Sequence, residues 1–242
     1  ADCTANNFAT FNPLTNSHSN GHTISEGNLR ITNSNYWRCL LGTHGVSSGK
    51  WYYEIKKVND AQYMYVGWGN SNTDTDNYPS ADSNAWAMRT DIATAYHDQT
   101  GTISQVAMSP NFNQNDICGC AIDVDNGRVW WSRNGVWLTA DGSNDGNPAT
   151  GSKAVFSNLP ANTYHPVAGV YNETAIANFG QNPSFSGTVT AGTNADSNGK
   201  GLFKYAPPSG YLALCEDNLP APAIADPGDY FKTVLWAGDG NN

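Results

Sequence analysis

A hairpin in the middle of the chain constrains the fold more than any other stretch. Residues 119–137 read "GCAIDVDNGRVWWSRNGVW", in which apolar side chains recur at every second position on both sides of Asn126-Gly127. Asn-Gly is the strongest short signal for a two-residue β-turn, because a type I′ turn needs positive φ at both positions. A two-residue turn would place Asp125 opposite Arg128. We therefore expect two antiparallel strands.

Alternation along these strands separates a core face from a polar face, because successive strand residues point to opposite sides of a sheet. The core face would carry Cys120, Ile122, Val124, Val129 and Trp131. The polar face would carry Asp123, Asp125, Arg128, Trp130 and Ser132. Trp130 is too apolar to stay in water. We expect the terminal segments Ala1–Ile31 or Glu216–Asn242 to cover it; the alternative cover is a partner subunit or ligand, which would make Trp130 an interface residue.

Short β-rich runs dominate the rest of the chain, and no long segment has a helical period. They are Trp51–Val58, Tyr63–Trp68, Trp86–Arg89, Asp116–Val124, Arg128–Arg133, Tyr164–Val170 and Thr174–Phe179. Many short strands separated by turn-rich stretches predict an all-β fold, an antiparallel two-sheet β-sandwich with almost no helix. We expect Trp68 and Trp86 in its core.

The composition excludes several functional classes. The net charge of −9 argues against nucleic acid or an anionic membrane as a partner, and no run of 18 apolar residues predicts membrane insertion. Charged residues make up only 14% of the chain and aromatic residues 12%, which is typical of extracellular or virion β-proteins. The chain starts at Ala1 and shows no signal peptide, so we expect a processed or partial product.

The two acids of the hairpin are the only candidates for carboxylate catalysis in this stretch. Retaining glycosidases need two carboxyl groups about 5–5.5 Å apart that flank a sugar. Asp123 and Asp125 share a face, but Arg128 would stand opposite Asp125 and favour its plain ionisation. We therefore interpret this stretch as a structural hairpin with solvated acids and expect no enzyme activity and no cofactor.

The hairpin "NDICGCAIDVDNGRVWWSRNGVW" resembles the signature hairpin of SPRY domains. Other pieces follow in the order of that family: "SSGKWYYEIKK", "YVGWG", "TAYHD", "YHPVAGVYN", "ETAIANFGQNPSF" and "FKYAPPSGYLAL". The resemblance covers about residues 45–215. It implies a concanavalin A-like sandwich, or SPRY jelly roll, that binds ligands, usually protein segments, through loops at one end. The family has no shared catalytic residues.

The two ends of the chain resemble segments that flank SPRY modules in bacteriophage tail-fibre and other virion proteins. They are "NNFATFNPLTNSHSNGHTISEGNLRI" and "DNLPAPAIADPGDYFKTVLWAGDG". We expect residues 1–44 to add a strand and wrap the sandwich, residues 45–215 to form its SPRY-like body, and residues 216–242 to form an acidic, proline-rich extension or linker. The resemblance implies a virion location outside the cell, after synthesis in the host cytoplasm without a signal peptide.

Candidate binding residues lie in the loops, where polar side chains surround single aromatic rings. The stretch "NSNTDTDNYPSADSN" carries Asp76 and Tyr78, "NSNYWRC" carries Tyr36 and Trp37, and Trp137 precedes a third polar loop. Adaptable hydrogen-bonding residues beside a rigid aromatic ring are typical of recognition surfaces. For Trp37 the alternative is a place in the core.

One stretch resembles the start of a calcium-binding loop. Asp141, Ser143 and Asp145 occupy the first, third and fifth positions, and Gly146 the sixth. The twelfth position is Ser152 instead of Glu. We therefore expect a glycine-rich turn without a metal ion and keep the three residues as a weak calcium candidate.

Two functional hypotheses follow. In the first, the chain is a non-catalytic virion adhesion module that recognises a host cell-surface glycan or protein. In the second, it is a structural spacer or decoration domain that contacts only other virion subunits, including copies of itself in a homo-oligomer. An exposed aromatic cluster at one end of the sandwich would favour the first, and loops buried against a sister chain would favour the second.

The five cysteines are too sparse and too odd in number for a disulfide framework. Cys118 and Cys120 lie two residues apart in a strand, which separates their Cα atoms by about 6.6 Å and disfavours a bond between them. We predict that thiol titration in denaturant finds both reduced. A disulfide-linked peptide that contains either residue would contradict this prediction.

Overall fold

A computed structural model describes residues 6–16, 20–33 and 35–221, together with residues 228, 231 and 233. Two antiparallel sheets lie face to face and enclose one main hydrophobic core, to which both sheets contribute alternate side chains. Trp68 from one sheet and Trp131 from the other lie in it, both fully buried. The indole Nε1 of Trp131 donates to the carbonyl of Val66 at 3.0 Å and joins the two layers.

The larger sheet has eight strands. In sheet order they are β1 (Thr23–Ser25), β2 (Arg30–Asn33), β13 (Glu173–Asn178), β4 (Lys50–Lys57), β9 (Ile117–Asp123), β10 (Arg128–Arg133) and β11 (Val136–Trp137), and β16 (Leu212–Ala213) pairs with β4 in parallel. Strands β1 and β2, from the N-terminal region, lie at one edge of this sheet.

The smaller sheet has six strands. In sheet order they are β3 (Leu40–Leu41), β12 (Tyr164–Tyr171), β5 (Tyr63–Asn70), β6 (Ala85–Arg89), β7 (Thr94–His97) and β8 (Ser104–Ala107). A separate pair is formed by β14 (Asn194–Ala195) and β15 (Leu202–Phe203). Three short 3-10 turns complete the described elements, at Pro13–Thr15, Thr90–Ile92 and Glu216–Asn218.

This architecture confirms the predicted fold class. Each of the seven β-rich runs coincides with a strand of one of the two main sheets, and Trp68 and Trp86 lie in the core as predicted. In the described part of the chain, no helix is long and apolar enough to cross a membrane. The prediction of a linker at residues 216–242 falls mostly outside the described residues and stays a prediction.

The turn of the central hairpin differs from the prediction. Arg128 pairs with Asp123, so residues 124–127 form a four-residue connection and the register is shifted by two residues. The prediction of a two-residue turn was wrong because only Gly127 of the Asn-Gly pair has positive φ. Asn126 is held in place by Asp123, whose carboxylate accepts hydrogen bonds from the backbone N–H and the side-chain amide of Asn126. A shift of two residues preserves the faces, so the predicted core face is confirmed, with Cys118 and Cys120 on it.

The two hairpin acids stabilise turns. Asp123 is buried, so the expectation that it is a solvated acid was wrong. Besides its hydrogen bonds with Asn126, its carboxylate lies 3.5 Å from Lys50 Nζ. Asp125 accepts from the backbone N–H of Gly49 at 2.9 Å and so ties the hairpin to the start of β4. Both carboxylates therefore have a structural role.

Trp130 is fully buried within the chain, so its assignment as a possible interface residue was wrong. The cover is mostly residues 194–215, which we call the closing segment. Phe203, Tyr211 and Ala213 of this segment form a second hydrophobic cluster with Trp130 on the outer face of the larger sheet, and Phe8 joins it from the N-terminal region. The Trp130 indole also donates to the carbonyl of Ser152 at 2.9 Å.

A buried carboxylate fastens the closing segment to the larger sheet. Glu54, in the middle of β4, is fully buried and accepts four hydrogen bonds. The donors are the Tyr52 hydroxyl at 3.1 Å, the Asn178 amide at 3.2 Å and the backbone N–H groups of Lys204 at 2.9 Å and Tyr205 at 2.8 Å. Burial raises the pKa of Glu54, and these four donors act in the opposite direction.

Replacing this carboxylate should destabilise the whole domain. In Glu54→Gln one oxygen becomes an NH₂ group that faces two donors, so we predict a loss of about 2–4 kcal/mol in the free energy of unfolding, measured by urea titration. The control Glu216→Gln alters an exposed side chain and should stay within about 0.5 kcal/mol of the unmodified chain. Equal stability of the two variants would contradict the role assigned to Glu54.

His22 should make the domain sensitive to mild acid. Its Nε2 accepts from the backbone N–H of Val170 at 3.1 Å, and burial lowers its pKa to about 4, with a smaller contribution from the Arg38 charge. Because the unfolded chain binds a proton near pH 6.5 and the folded chain does not, stability is complete above pH 6.5 and falls as the pH drops towards 4.

We predict a loss of about 3 kcal/mol from this group between pH 7 and pH 4. His22→Gln should flatten that part of the profile of unfolding free energy against pH. If the two profiles are parallel over this range, His22 is not the sensitive group.

Candidate functional site

Five aromatic rings gather on the outer face of the smaller sheet. The indole of Trp37 stacks on Tyr171 with ring centroids 4.6 Å apart and on Tyr63 at 5.1 Å. Tyr78 meets the edge of Trp37 at 5.6 Å and stacks on Tyr65 at 5.5 Å. We call these five residues the aromatic platform. Tyr65 is buried and the other four are half-buried, so the platform presents several partly exposed rings side by side.

Strand alternation places the tyrosines. Along β5, Met64 and Val66 point into the core, so Tyr63 and Tyr65 point outward. Tyr171 pairs with Tyr63 across the β12–β5 ladder, which brings their rings to 5.7 Å. The base of the platform is therefore fixed by a sheet and not by a loop.

Trp37 is held over this base by close backbone contacts. A Cβ at Gly169 of β12 would lie 2.3 Å from the carbonyl oxygen of Arg38, so glycine is needed for the 37–39 segment to approach the strand. The Arg38 guanidinium donates to the carbonyls of Trp37 and Asp76. The backbone N–H of Cys39 donates to the carbonyl of Thr75 at 3.2 Å. These contacts join the segment to the loop that carries Tyr78.

That loop, residues 71–84, is ordered by its own polar groups. Asp82 accepts from the backbone N–H groups of Asp74 and Asn84, and Asn70 bonds to Asn84 across the base of the loop. Hydrogen bonds from side chains to backbone groups two or more residues away stabilise turns of this kind. Tyr78 is therefore presented in one position, and Asp76 lies exposed at its side, 3.9 Å from Arg38 Nε.

The Arg89 guanidinium contacts the platform directly. It lies 4.2 Å from the centre of the Tyr63 ring, within the range of a cation–π interaction. Asp91 holds it with two hydrogen bonds of 2.8 Å, which raise the pKa of Arg89. Burial raises the pKa of Tyr65 to about 12, although the Arg89 charge acts in the opposite direction. The platform therefore has a fixed positive charge at its border.

The structure separates the sequence-predicted site residues into two groups. Trp37 and Tyr78 belong to the platform, and Tyr36 and Asp76 lie beside it, Tyr36 with 43% of its surface exposed. Trp137 lies elsewhere: it packs against Tyr52 and the Trp130 cluster on the outer face of the larger sheet. A single site that contains all five residues is therefore not formed.

The three residues considered as a weak calcium candidate, Asp141, Ser143 and Asp145, bind the side chain of Lys153. Lys153 Nζ donates to Asp141 at 2.9 Å, to Ser143 at 2.9 Å and to Asp145 at 2.6 Å. Hydrogen bonds from Ser143 and Thr139, followed by Lys153, lower the pKa of Asp141. The ammonium group takes the central position that a cation would need. Across the described ranges, no cluster of three or more His, Cys, Asp or Glu side chains could hold a metal ion.

Sequence reasoning missed Tyr63, Tyr65, Tyr171 and Arg89 because it searched loops for ligand contacts. The available signal was the alternation in "YMYVGW", which puts two tyrosines on the face opposite Met64, Val66 and Trp68. A sandwich strand whose outer face carries large aromatic residues indicates that something covers or uses that face.

Comparisons with known proteins agree with this fold. Ran-binding protein 9 of zebrafish is 23% identical over 172 residues, and those of mouse and human are 24% identical; the match covers 66% of this chain. The aligned region spans only 21–26% of these relatives. The crystal structure of the SPRY domain of human HERC1 superposes with a TM-score of 0.54 at 19% identity, over 69% of this chain and 96% of that one.

A family model provides the assignment. The model described as the SPRY domain matches residues 50–182, more than half of the chain. The matched region runs from β4 to the turn after β13, and so includes Glu54, the central hairpin and all of the platform except Trp37. The chain belongs to the SPRY domain family.

Proposed function

We propose that this chain is a non-catalytic binding module that holds an exposed segment of a partner protein on the aromatic platform. SPRY domains are generally non-catalytic modules of protein interaction. The observation that supports the platform is that Trp37 and three tyrosines remain partly exposed, while the sheet positions Tyr63 and Tyr171 and these two rings stack with Trp37.

The residue types fit a protein partner. Tyrosine, tryptophan and arginine are enriched at the centres of protein interfaces, where a few of them supply most of the binding energy. Here Arg89 borders the rings, and the charged groups Asp91, Arg38 and Asp76 lie around them as a polar rim. Because the platform is preorganised by its sheet, little conformational entropy is lost when a ligand binds.

In its finer form the proposal places the module in the adhesion apparatus of a virion, outside the cell, with a host-surface protein as the ligand. The low proportion of charged residues and the likeness of both chain ends to segments of tail-fibre proteins support this setting. The half-exposed platform favours adhesion over the alternative of a virion spacer.

Peptide selection tests the proposal and does not require the partner to be identified first. A random peptide display library is selected on the intact chain, and the dissociation constants of enriched peptides are measured by isothermal titration. We predict that Trp37→Ala and Tyr78→Ala each weaken binding about 30-fold or more, the range expected for aromatic anchors. Trp137→Ala, a matched aromatic change on the other sheet, should leave the affinity unchanged.

Two results would contradict the proposal. In one, the selected peptides bind the platform variants as tightly as the unmodified chain. In the other, the chain self-associates in sedimentation experiments and Trp37→Ala abolishes that association, which would support the spacer function. Thermal unfolding of each variant verifies that it is folded.

A further inference from the structure

The smaller sheet is covered at one of its two edges and open at the other. At the covered edge, the backbone N–H of Asn12 donates to the carbonyl of Leu41 in β3 at 2.8 Å, and Phe11 pairs with Gly42. At the opposite edge, β8 pairs with β7 on one side only, and no further segment of the described part of the chain pairs with it. We call this border of the sheet the β8 edge.

The register of the ladder determines which backbone groups of β8 point away from the sheet. The backbone N–H of Met108 donates to the carbonyl of Ala93 at 2.9 Å, in register with the β7–β8 pairs. In an antiparallel ladder the hydrogen-bonded positions recur at every second residue, so Val106 and Ser104 also direct their backbone groups towards β7. The residues between them direct theirs outwards.

These outward-facing residues are Ile103, Gln105 and Ala107. All three are exposed, Ile103 with 57% of its surface. Within the described ranges, their backbone N–H and carbonyl groups have no hydrogen-bond partner. A row of unpaired N–H and carbonyl groups at a sheet edge is a template for another strand.

The β8 edge also lacks the charges that usually prevent such pairing. Natural proteins protect exposed edge strands mainly with charged side chains, proline or bulges. Charged residues make up 14% of this chain, yet none occurs between residues 99 and 115. The region around β8 is therefore neutral in a chain whose net charge is −9.

The edge is complementary to a second copy of itself. In an antiparallel pair with its two-fold axis at Gln105, each Gln105 lies opposite the Gln105 of the other copy, and Ile103 lies opposite Ala107 in both halves. Every outward N–H group then meets an outward carbonyl group of the other copy. The two glutamine amides can bond to each other, Ile103 packs on Ala107, and no like charges meet.

We propose that two copies of this chain associate through the β8 edge, so that their two six-stranded sheets join into one continuous sheet. Each copy has one β8 edge, so the association closes at two copies. The contact lies outside the platform and goes beyond the proposed function without depending on it. Only about five residues of each copy pair, so the buried area falls below the about 1,200 Å² of a stable interface, and we expect a dissociation constant of about 10–300 µM.

Sedimentation equilibrium of the intact chain from about 10 µM to about 1 mM tests the proposal, because this range brackets the expected dissociation constant. The mean mass should rise with concentration towards that of two chains. Gln105→Pro removes the central outward N–H group from both copies but leaves the β7–β8 ladder intact, since proline is tolerated where the N–H of an edge strand faces solvent. It should weaken association at least about tenfold, because two hydrogen bonds are lost.

A pair of charged variants tests the position of the two-fold axis. Gln105→Lys and Gln105→Glu each place like charges opposite each other and should weaken association about fivefold, whereas an equimolar mixture of the two should associate at least as tightly as the unmodified chain. The control Gln114→Lys makes the same change at an exposed residue outside β8 and should associate normally. Thermal unfolding of each variant verifies that it is folded.

The proposal is overturned if the unmodified chain stays monomeric over the whole range, if Gln105→Pro associates as tightly as the unmodified chain, or if mixing the charged variants does not restore association. Protection of the Gln105 and Ala107 amides from hydrogen exchange in dilute solution would also overturn it, because the chain would then cover its own edge. Trp37→Ala should associate normally, and Gln105→Pro should bind platform-selected peptides normally, so this proposal and the proposed function fail separately.

Discussion

The Glu54 carboxylate is the interaction on which the outer surface of the larger sheet depends. It lies in the central strand β4, and two of its four donors are backbone N–H groups of the closing segment. A buried charge is tolerated only when its hydrogen bonds are satisfied, so the carboxylate specifies where residues 204 and 205 must lie. Once they are there, Phe203 and Tyr211 cover Trp130, and the outer face of the larger sheet is closed around it.

The smaller sheet has no such complete cover over the platform. A short crossing of residues 37–39 and the loop 71–84 lie on its outer face, where Cys39 and Leu41 form a small buried cluster with Ala85 and Val167. They leave Trp37 and three tyrosines partly exposed. The two faces therefore differ: one is closed by apolar contacts within the chain, and the other keeps rigid aromatic rings accessible. Exposed aromatic groups on a rigid support are what a binding surface requires.

The alternation of apolar residues was sufficient to predict the sandwich, its seven principal strands and the core position of Trp131, because burial on one face imposes a period of two. Hairpin geometry was less predictable, because the hydrogen bonds between Asp123 and Asn126 stabilise a four-residue connection in place of the expected two-residue turn. Within the site, Tyr78 and Trp37 could be selected from loop composition. The role of Trp137 and the cover of Trp130 could not, because both depend on where the distant closing segment returns to the sheet. The contact between Lys153 and Asp141 could not be predicted either, because it depends on a backbone path that the spacing of residues does not specify.

The contrast between a closed face and an open face can be measured directly. With 5-fluorotryptophan in all eight tryptophan positions, ¹⁹F NMR reports each indole separately, and Trp37→Phe and Trp130→Phe assign the two decisive resonances. A soluble gadolinium complex then broadens the resonances of solvent-accessible rings. Our account predicts strong broadening for Trp37 and none for Trp130 in the intact chain. A protected Trp37 together with a broadened Trp130 would contradict it, because the larger sheet would then offer the open aromatic surface.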